Sequence, residues 1–497
     1  MVLATRRSVV WACPFFLVLL VVCTTFVIDI EWNQLIPASP SSVALDGEYC
    51  LRLSDSRHDI AVIEAQVSTQ ETTTTLIKRK HVLVASFFGF HFDVYMTLAW
   101  TLKRVLMQVP QAQIELFAAP FYYGFEAVVG EYGLYDGVRR DPEELLSYIQ
   151  SNTTVDTVVL GTCEIDLNQI HSALLDEWDK RAPEEKFKLV CMVHNVQDTP
   201  WQANIGEWSR RGAIRLVTLG EHVGKSFRNM FEEIAEEPLG GGGYEYIPID
   251  LHIPVLDVSG LPAKSANRSL ARAVIQGSFD TTRRSYYNFF DELIRSLHRN
   301  PEAWGYNSLS DRASFVPNYQ SLVPPFELAL VGSGSLEVPQ ELAYMVSIHR
   351  GLDYANFYDL VASMDIVVPA FADNGYYEHQ ASSTVAMAVE LDVPILATRR
   401  MRKAYGYIDD DRAVVTRPAA MSEVQALLAL RTGSLSYFLE QDPDGVMGLF
   451  PPLRALVNDM REMVNGGWVR DPADLRRYKE RLWRNNEEVV ERLLADM

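Results

Sequence analysis

The stretch Asn356–Thr398, NFYDLVASMDIVVPAFADNGYYEHQASSTVAMAVELDVPILAT, decides the fold prediction for this chain. It opens with apolar residues at the three- and four-residue spacing of a helix: Phe357, Leu360, Val361 and Met364. An apolar run, Asp365–Phe371, then predicts a buried strand. A polar loop, a second helix and a second apolar strand, Val393–Thr398, complete the stretch. Alternating helices and fully apolar strands indicate a parallel sheet covered on both faces.

The polar loop and the start of the second helix predict a ligand site. The loop follows the carboxyl end of a strand, which is where α/β proteins bind ligands, and it contains Glu378. Hydroxyl side chains then start the helix: Ser382, Ser383 and Thr384. Free backbone N–H groups and the helix dipole at such a terminus favour an anion. The stretch therefore predicts half of a nucleotide-diphosphate site.

Length and charge limit the possible architecture and partners. A chain of 497 residues is too long for one ordinary core, so we expect two domains plus extra segments. The formal net charge of −20 argues against nucleic acid or an anionic membrane surface as a partner. Local features must therefore hold any anionic ligand.

The amino terminus predicts a membrane anchor. Arg6 and Arg7 precede an uncharged run, 8–28, whose 21 residues are long enough to span a bilayer as a helix. Basic residues before the run predict a cytoplasmic tail, 1–7, and a lumenal body. We therefore expect a single-pass type II membrane protein of the endoplasmic reticulum or Golgi. A cleaved signal peptide is the alternative, because its charge pattern is similar.

The segment 29–79 is rich in proline, serine and threonine and predicts a stem. Three cysteines follow the anchor: Cys50, Cys163 and Cys191. Their number and spacing indicate neither a disulfide framework nor a zinc site, and we expect Cys163 and Cys191 to be unreactive thiols in buried strands. Two sequons, at Asn152 and Asn267, permit glycosylation if the body is lumenal.

The ordered body repeats one pattern twice. Apolar strands alternate with amphipathic helices across 80–253 and again across 271–470, with a proline-containing linker, 254–270, between them. A charged helix is predicted over 471–497. The predicted strands are 81–88, 113–118, 156–162, 187–194, 214–219 and 244–248 in the first half and 272–276, 326–331, 345–349, 365–371, 393–398 and 413–416 in the second. These patterns indicate an α/β protein with two Rossmann-like, doubly wound domains.

The second half resembles the donor domain of the GT-B glycosyltransferases. The resemblance rests on the loop from Gly277 to Arg283 and Arg284, on the turn Leu330-Val-Gly-Ser-Gly334, and on the segment from Tyr377 to Pro394. It implies that 80–253 binds the acceptor and that 271–470 binds a nucleotide sugar as co-substrate. It also implies that no metal ion or other cofactor is required.

The resemblance implies specific site residues. The donor nucleotide and its diphosphate would contact Gly277, Arg283, Arg284, Gly332, Gly334, Ser382, Ser383 and Thr384. Glu378 would receive ribose or sugar hydroxyls and take part in catalysis. Retaining members have a second glutamate eight positions later, but Ala386 stands there in this chain, and Glu390 is too far along to replace it simply. Retention or inversion at the anomeric carbon is therefore left open.

Two histidines are candidates for the general base. His91 and His194 follow predicted strands at their carboxyl ends, and a neutral imidazole can take a proton from an acceptor hydroxyl. Structural roles for these two side chains remain equally open. We expect Trp201 and Trp208 to pack in the core, and the acidic triplet Asp409–Asp411 to be a solvated turn rather than a metal site.

These observations predict a glycosyltransferase that moves a sugar from a nucleotide sugar to a glycan, lipid or protein acceptor in the secretory pathway. One alternative is a nucleotide-sugar epimerase on the same fold. The other is a membrane-tethered binding protein without catalysis, which the missing second glutamate keeps open.

Overall fold

The computed structural model describes residues 80–238, 241–262, 264, 269–309, 315–439 and 451–495. The predicted tail, anchor and stem, 1–7, 8–28 and 29–79, lie outside these residues, as do Cys50 and Asn267. In the described part of the chain no helix is long and apolar enough to cross a membrane. This finding contradicts the predicted location as a single-pass membrane protein, and we withdraw that prediction.

The first sheet contains seven parallel strands in the order β3-β2-β1-β4-β5-β6-β7. Their bounds are β1 His81–Ser86, β2 Gln113–Ala118, β3 Arg139–Arg140, β4 Thr157–Leu160, β5 Lys188–Val193, β6 Ile214–Thr218 and β7 Ile249–Leu251. Every residue of β1 is buried, because helices cover both faces of the sheet.

The second sheet contains six parallel strands in the order β12-β11-β8-β13-β14-β15. Its strands are β8 Arg272–Gln276, β11 Glu327–Gly332, β12 Val346–Arg350, β13 Ile366–Val367, β14 Ile395–Ala397 and β15 Val414–Thr416. A separate antiparallel hairpin pairs β9, Tyr306–Ser308, with β10, Phe315–Pro317. Two successive doubly wound parallel sheets fit the GT-B arrangement, which confirms that part of the fold prediction.

Sixteen α-helices in the described residues connect and cover the strands. They are α1 Phe92–Leu106, α2 Phe125–Glu131, α3 Leu145–Ser151, α4 Cys163–Lys180, α5 Ile205–Arg210, α6 Glu221–Ala235, α7 Tyr286–Arg299, α8 Pro301–Trp304, α9 Tyr354–Ala362, α10 Gly375–Glu378, α11 Ser383–Glu390, α12 Arg399–Ala404, α13 Glu423–Thr432, α14 Ser436–Leu439, α15 Pro451–Gly466 and α16 Pro472–Ala495.

Helix α7 shows why these segments fold as they do. Its apolar residues lie on one face at helical spacing, and all five are buried: Tyr286, Phe289, Phe290, Leu293 and Leu297. Burying one such side chain contributes about 1.5–3 kcal/mol, so the stripe anchors the helix on the sheet. Their partners include Ala273 and Ile275 of β8 in the same buried cluster.

The carboxyl-terminal helix α16 returns to the first half of the chain. The Asn486 side chain accepts a hydrogen bond from the Ile253 amide at 3.0 Å and donates one to the Ile253 carbonyl at 2.8 Å. The Trp483 indole donates to the Val255 carbonyl at 2.8 Å. These buried bonds hold α16 against the segment that follows β7.

Three local predictions need correction. The segment predicted as a strand, 244–248, is a short 3-10 helix over Tyr244–Tyr246, and the strand begins at Ile249. Cys163 begins helix α4 rather than lying in a strand. Cys163 and Cys191 are joined by a disulfide instead of remaining free thiols, because the start of α4 lies beside β5 with the two Cα atoms 5.2 Å apart.

In each sheet the order in which successive strands are added changes side at one point. In the first sheet, later strands lie on the two sides of β1, and in the second sheet they lie on the two sides of β8. Crevices form at such switch points beyond the carboxyl ends of the strands. The loops after β1 and β8 are therefore the places where ligands are expected.

Candidate active site

A cavity of about 460 Å³ lies beyond the carboxyl ends of strands from both sheets. Loops after β1 and β5 contribute His91 and His194, and loops after β8 and β11 contribute Gly277 and Ser333. Its remaining lining includes polar and aromatic side chains from both halves: Asp93, Tyr123, Gln276, Arg283, Arg284, His349, Tyr354, Tyr358, Tyr376, Gln380, Ser382, Ser383 and Glu390. Both switch points therefore face one cavity.

Arg284 is a buried cation that is only partly paired. Its side chain is 4% exposed, and its Nη2 donates to the Gln276 carbonyl at 3.0 Å and to the Thr384 hydroxyl at 2.8 Å. Its Nε and Nη1 have no hydrogen-bond partner. The rings of Phe371 and Tyr376 lie 4.7 and 5.2 Å from the guanidinium carbon. Burial lowers the pKa of Arg284, because the contacts made here replace only part of the lost hydration.

Close backbone contacts shape the loop that carries this arginine. Gly277 has a φ of 138°, a conformation that favours glycine. A Cβ atom at Gly332 would lie 1.8 Å from the Gly277 carbonyl oxygen. Gly334 also has a positive φ, 113°, but it packs against Phe279 rather than lining the cavity. Glycine at 277 and 332 lets the β8 and β11 loops meet beside Arg284.

Helix α11 points its amino terminus into the cavity. Ser382 and Ser383 line the cavity, whereas Thr384 bonds to Gln276 and Arg284 behind the lining. The structure corrects one detail, because the side chain of Ser382 makes no capping hydrogen bond. Its amide instead donates to the Tyr405 hydroxyl at 3.2 Å. No side-chain cap therefore covers this helix terminus, which lies beside Arg284 through the hydrogen bond from Nη2 to Thr384.

His91 and His194 form a stacked pair. Their ring centroids lie 4.1 Å apart with an interplanar angle of 20°. His194 Nε2 lies 3.1 Å from the Gly161 carbonyl oxygen, so this nitrogen carries a proton and donates to that carbonyl. Burial lowers the pKa of His91 well below its usual value, and the nearby charges of His194 and Arg283 lower it further. His91 is therefore a neutral base at physiological pH.

Not every predicted site residue reaches the cavity. Glu378 is exposed, pairs with Arg400 at 2.9 Å and lies outside the lining. Arg283 does line it, and its Nε donates to the Tyr376 hydroxyl at 2.6 Å. Trp201 and Trp208 are fully buried, as predicted. The acidic triplet 409–411 forms ion pairs with Arg402 and Arg412.

Several lining residues were not predicted. Asp93, Tyr354 and Tyr358 carry no motif, and their position depends on how α1 and α9 pack. The position of Glu390 could have been predicted from helical spacing. One face of a helix carries five residues that all line the cavity: Ser382, Ser383, Ala386, Met387 and Glu390.

Comparison with known proteins gives only weak similarity. No family model and no curated protein matches the sequence. The lipopolysaccharide outer core galactosyltransferase WaaB aligns over 83% of this chain and 98% of its own, with 10% identity and a TM-score of 0.43. The amino-terminal domain of Candida albicans trehalose-6-phosphate phosphatase aligns over 80% and 97%, with 10% identity and a TM-score of 0.40. UDP-N-acetylglucosamine 2-epimerase from Rickettsia bellii aligns over 71% of this chain and 88% of its own, with 11% identity and a TM-score of 0.36. With TM-scores below 0.5, these similarities establish neither a family nor an activity.

Proposed function

We propose that this protein transfers a sugar from a nucleotide-sugar donor to the hydroxyl group of an acceptor. One observation carries the proposal. Arg284 is a buried cation with two unpaired nitrogens, and it lies beside the uncapped amino terminus of α11 in a cavity between two Rossmann-like sheets. A diphosphate supplies the negative charge and the oxygen acceptors that these groups lack.

The size and lining of the cavity support a ligand of this class. Small-molecule sites typically enclose about 300–1,000 Å³, and this cavity of about 460 Å³ falls within that range. Arg283 and Arg284 place two positive charges on one side of it, although the whole chain carries a formal charge of −20. An anion is therefore attracted by local groups. Gly277 and Gly332 leave the backbone close enough to contact it.

The proposed reaction uses the two faces of the cavity differently. An acceptor hydroxyl lies against the first half, where His91 or His194 takes its proton. The acceptor oxygen forms a bond to the anomeric carbon as the bond from that carbon to the diphosphate oxygen breaks. The electron pair leaves with the diphosphate, where Arg284 and the α11 amides stabilise its charge. The proposal requires no metal ion or cofactor, and the acceptor is a glycan, a lipid or a protein.

A donor panel tests this proposal. The full chain is incubated with UDP-, GDP- and ADP-sugars, with and without simple glycoside acceptors, and free nucleotide is measured. We expect nucleotide release with at least one donor, and loss of that release in Arg284→Met. Conversion of the donor sugar without release would indicate an epimerase instead. Donor binding without any turnover would indicate a binding protein, and either result would contradict the proposed transfer.

A further inference from the structure

The cavity has a second, acidic end that the proposed diphosphate site does not use. Helix α11 lines the cavity along one face from Ser382 to Glu390. Eight residues of helix correspond to about 12 Å, so Glu390 lies well away from the amino terminus near Arg284. Asp93, Tyr354 and Tyr358 also line the cavity and interact electrostatically with Glu390. These four residues are called the acidic end.

The acidic end contains two carboxyl groups, of which Glu390 is buried and Asp93 is partly buried. Glu390 is 7% exposed, and its Oε2 accepts a hydrogen bond from the Leu256 amide at 2.7 Å. Lys479 donates to the main-chain oxygen of Glu390 and forms its ion pair with Asp392, and its charge also acts on the Glu390 carboxyl and lowers its pKa. Burial, together with the nearby charge of Asp93, raises the pKa of Glu390 to about 7, although the hydrogen bonds from Leu256 and Tyr358 act in the opposite direction. Burial also raises the pKa of Asp93.

Two tyrosine hydroxyls lie beside these acceptors. The Tyr358 hydroxyl already donates to the Glu390 carboxyl, so its oxygen is left as an acceptor. Burial raises the pKa values of Tyr354 and Tyr358 well above the usual value, so both remain protonated. Phe357 and Met387 add apolar surface to the same part of the lining. A sugar ring presents neighbouring hydroxyls that donate and accept, together with apolar C–H groups. The acidic end offers partners for each of these features.

We propose that the acidic end binds neighbouring hydroxyl groups of a sugar ring, with Glu390, Asp93 and the Tyr358 oxygen as acceptors and Tyr354 as a donor. A neutral diol suits these carboxyls better than a fixed cation, because a carboxyl that titrates near neutral pH can accept or donate. This inference extends the proposed function, since the diphosphate end sets the direction of the ligand. Glu378 does not have this role, because it lies outside the cavity.

The test measures diol preference directly by titration calorimetry on the full chain. One arm compares UDP and GDP with their 2′,3′-dideoxy counterparts, which probes the ribose. A second arm compares UDP-glucose with its 2-deoxyglucose counterpart, which probes the transferred sugar. A third arm uses pyrophosphate, and a fourth compares methyl riboside with its dideoxy counterpart at millimolar concentration. Glu390→Gln, Asp93→Asn and the control Glu221→Gln are measured with each probe.

We expect the parent to bind a diol probe at least about tenfold more tightly than its deoxy counterpart, since a hydrogen bond to a charged group is worth about 1.5–3 kcal/mol. Glu390→Gln and Asp93→Asn should reduce that preference, and pyrophosphate affinity should change less than about twofold. Glu221 is a matched control, because it is a buried glutamate with a raised pKa outside the cavity lining.

Three results would overturn the inference: an unchanged preference in both variants, the absence of any preference in the parent, or loss of the preference in Glu378→Gln instead. Failure of the proposed function looks different. The parent would then bind no pyrophosphate, while the riboside arm would still depend on Glu390.

Discussion

Replacing Arg284 with methionine is predicted to make the ligand-free protein more stable and to remove its affinity for pyrophosphate. In the structure Nε and Nη1 have no partner, and each buried unpaired group costs about 1–3 kcal/mol. The rings of Phe371 and Tyr376 offset about 0.5–2 kcal/mol of that cost by cation–π attraction. Methionine fills similar space without a charge. We therefore expect the free energy of unfolding to rise by about 1–3 kcal/mol.

Chemical denaturation and pyrophosphate titration of the full chain measure the two effects. The parent should gain stability when pyrophosphate is added, and Arg284→Met should gain none, with affinity lowered about tenfold or more. Arg431→Met is the matched control. Arg431 is equally buried, but each of its three guanidinium nitrogens donates to a carbonyl oxygen, on Ala303, Leu270 and Pro324.

The control should lose stability and keep its pyrophosphate affinity, because its guanidinium is fully paired and lies outside the cavity. Two results would refute the reasoning about Arg284. One is an Arg284→Met variant that binds pyrophosphate as tightly as the parent. The other is a ligand-free Arg284→Met variant that is less stable than the parent, since that would mean its cation is already compensated.

Three further predictions follow from the site. Because burial raises the pKa of Glu390 from 4.5 to about 7, the folded state binds more protons than the unfolded state between these values, so this group's contribution to stability falls as pH rises to about 7. The free energy of unfolding of Glu390→Gln, relative to that of the parent, should therefore be about 2–3 kcal/mol higher at pH 8 than at pH 4. Denaturant melts of both proteins at both pH values measure this difference, and the same difference at pH 4 and pH 8 would contradict the prediction. Gly332→Ala should destabilise the chain and abolish nucleotide release, because its Cβ would lie 1.8 Å from the Gly277 carbonyl, whereas Gly466→Ala, with open space around it, should be mild. If His91 or His194 is the base, its alanine variant should lose turnover by about 10²–10⁴-fold and keep donor affinity, and the acid limb of kcat/KM should lie below pH 6.5 when His91 is responsible. Unchanged turnover in both single variants would exclude the histidines.

The sheet architecture could be predicted because its signals are local. Largely apolar strands such as β1 and β11 are read directly from the sequence. The prediction of a strand at 244–248 was wrong, because a short run of this kind does not distinguish a strand from a turn of helix. The pairing of Cys163 with Cys191 depends on β4 lying beside β5, so residue counting alone could not find it.

The candidate site could be predicted only in part. The loop with Arg283 and Arg284 and the start of α11 do line one cavity, apart from Thr384 behind it. The sequence could not show that Arg284 is the buried arginine, since two adjacent side chains point in different directions. Glu378 was expected in the cavity but lies outside it, whereas Glu390 lines the cavity. The direction of each side chain depends on how α10 and α11 pack, which the sequence does not show.

The most direct test of the central claim is a crystal structure of the full chain with the nucleoside diphosphate that the donor panel selects. We predict phosphate oxygens within hydrogen-bond distance of Arg284 Nε or Nη1 and of a backbone amide in the first turn of α11. A diphosphate bound elsewhere, with both Arg284 nitrogens still unpaired, would contradict it.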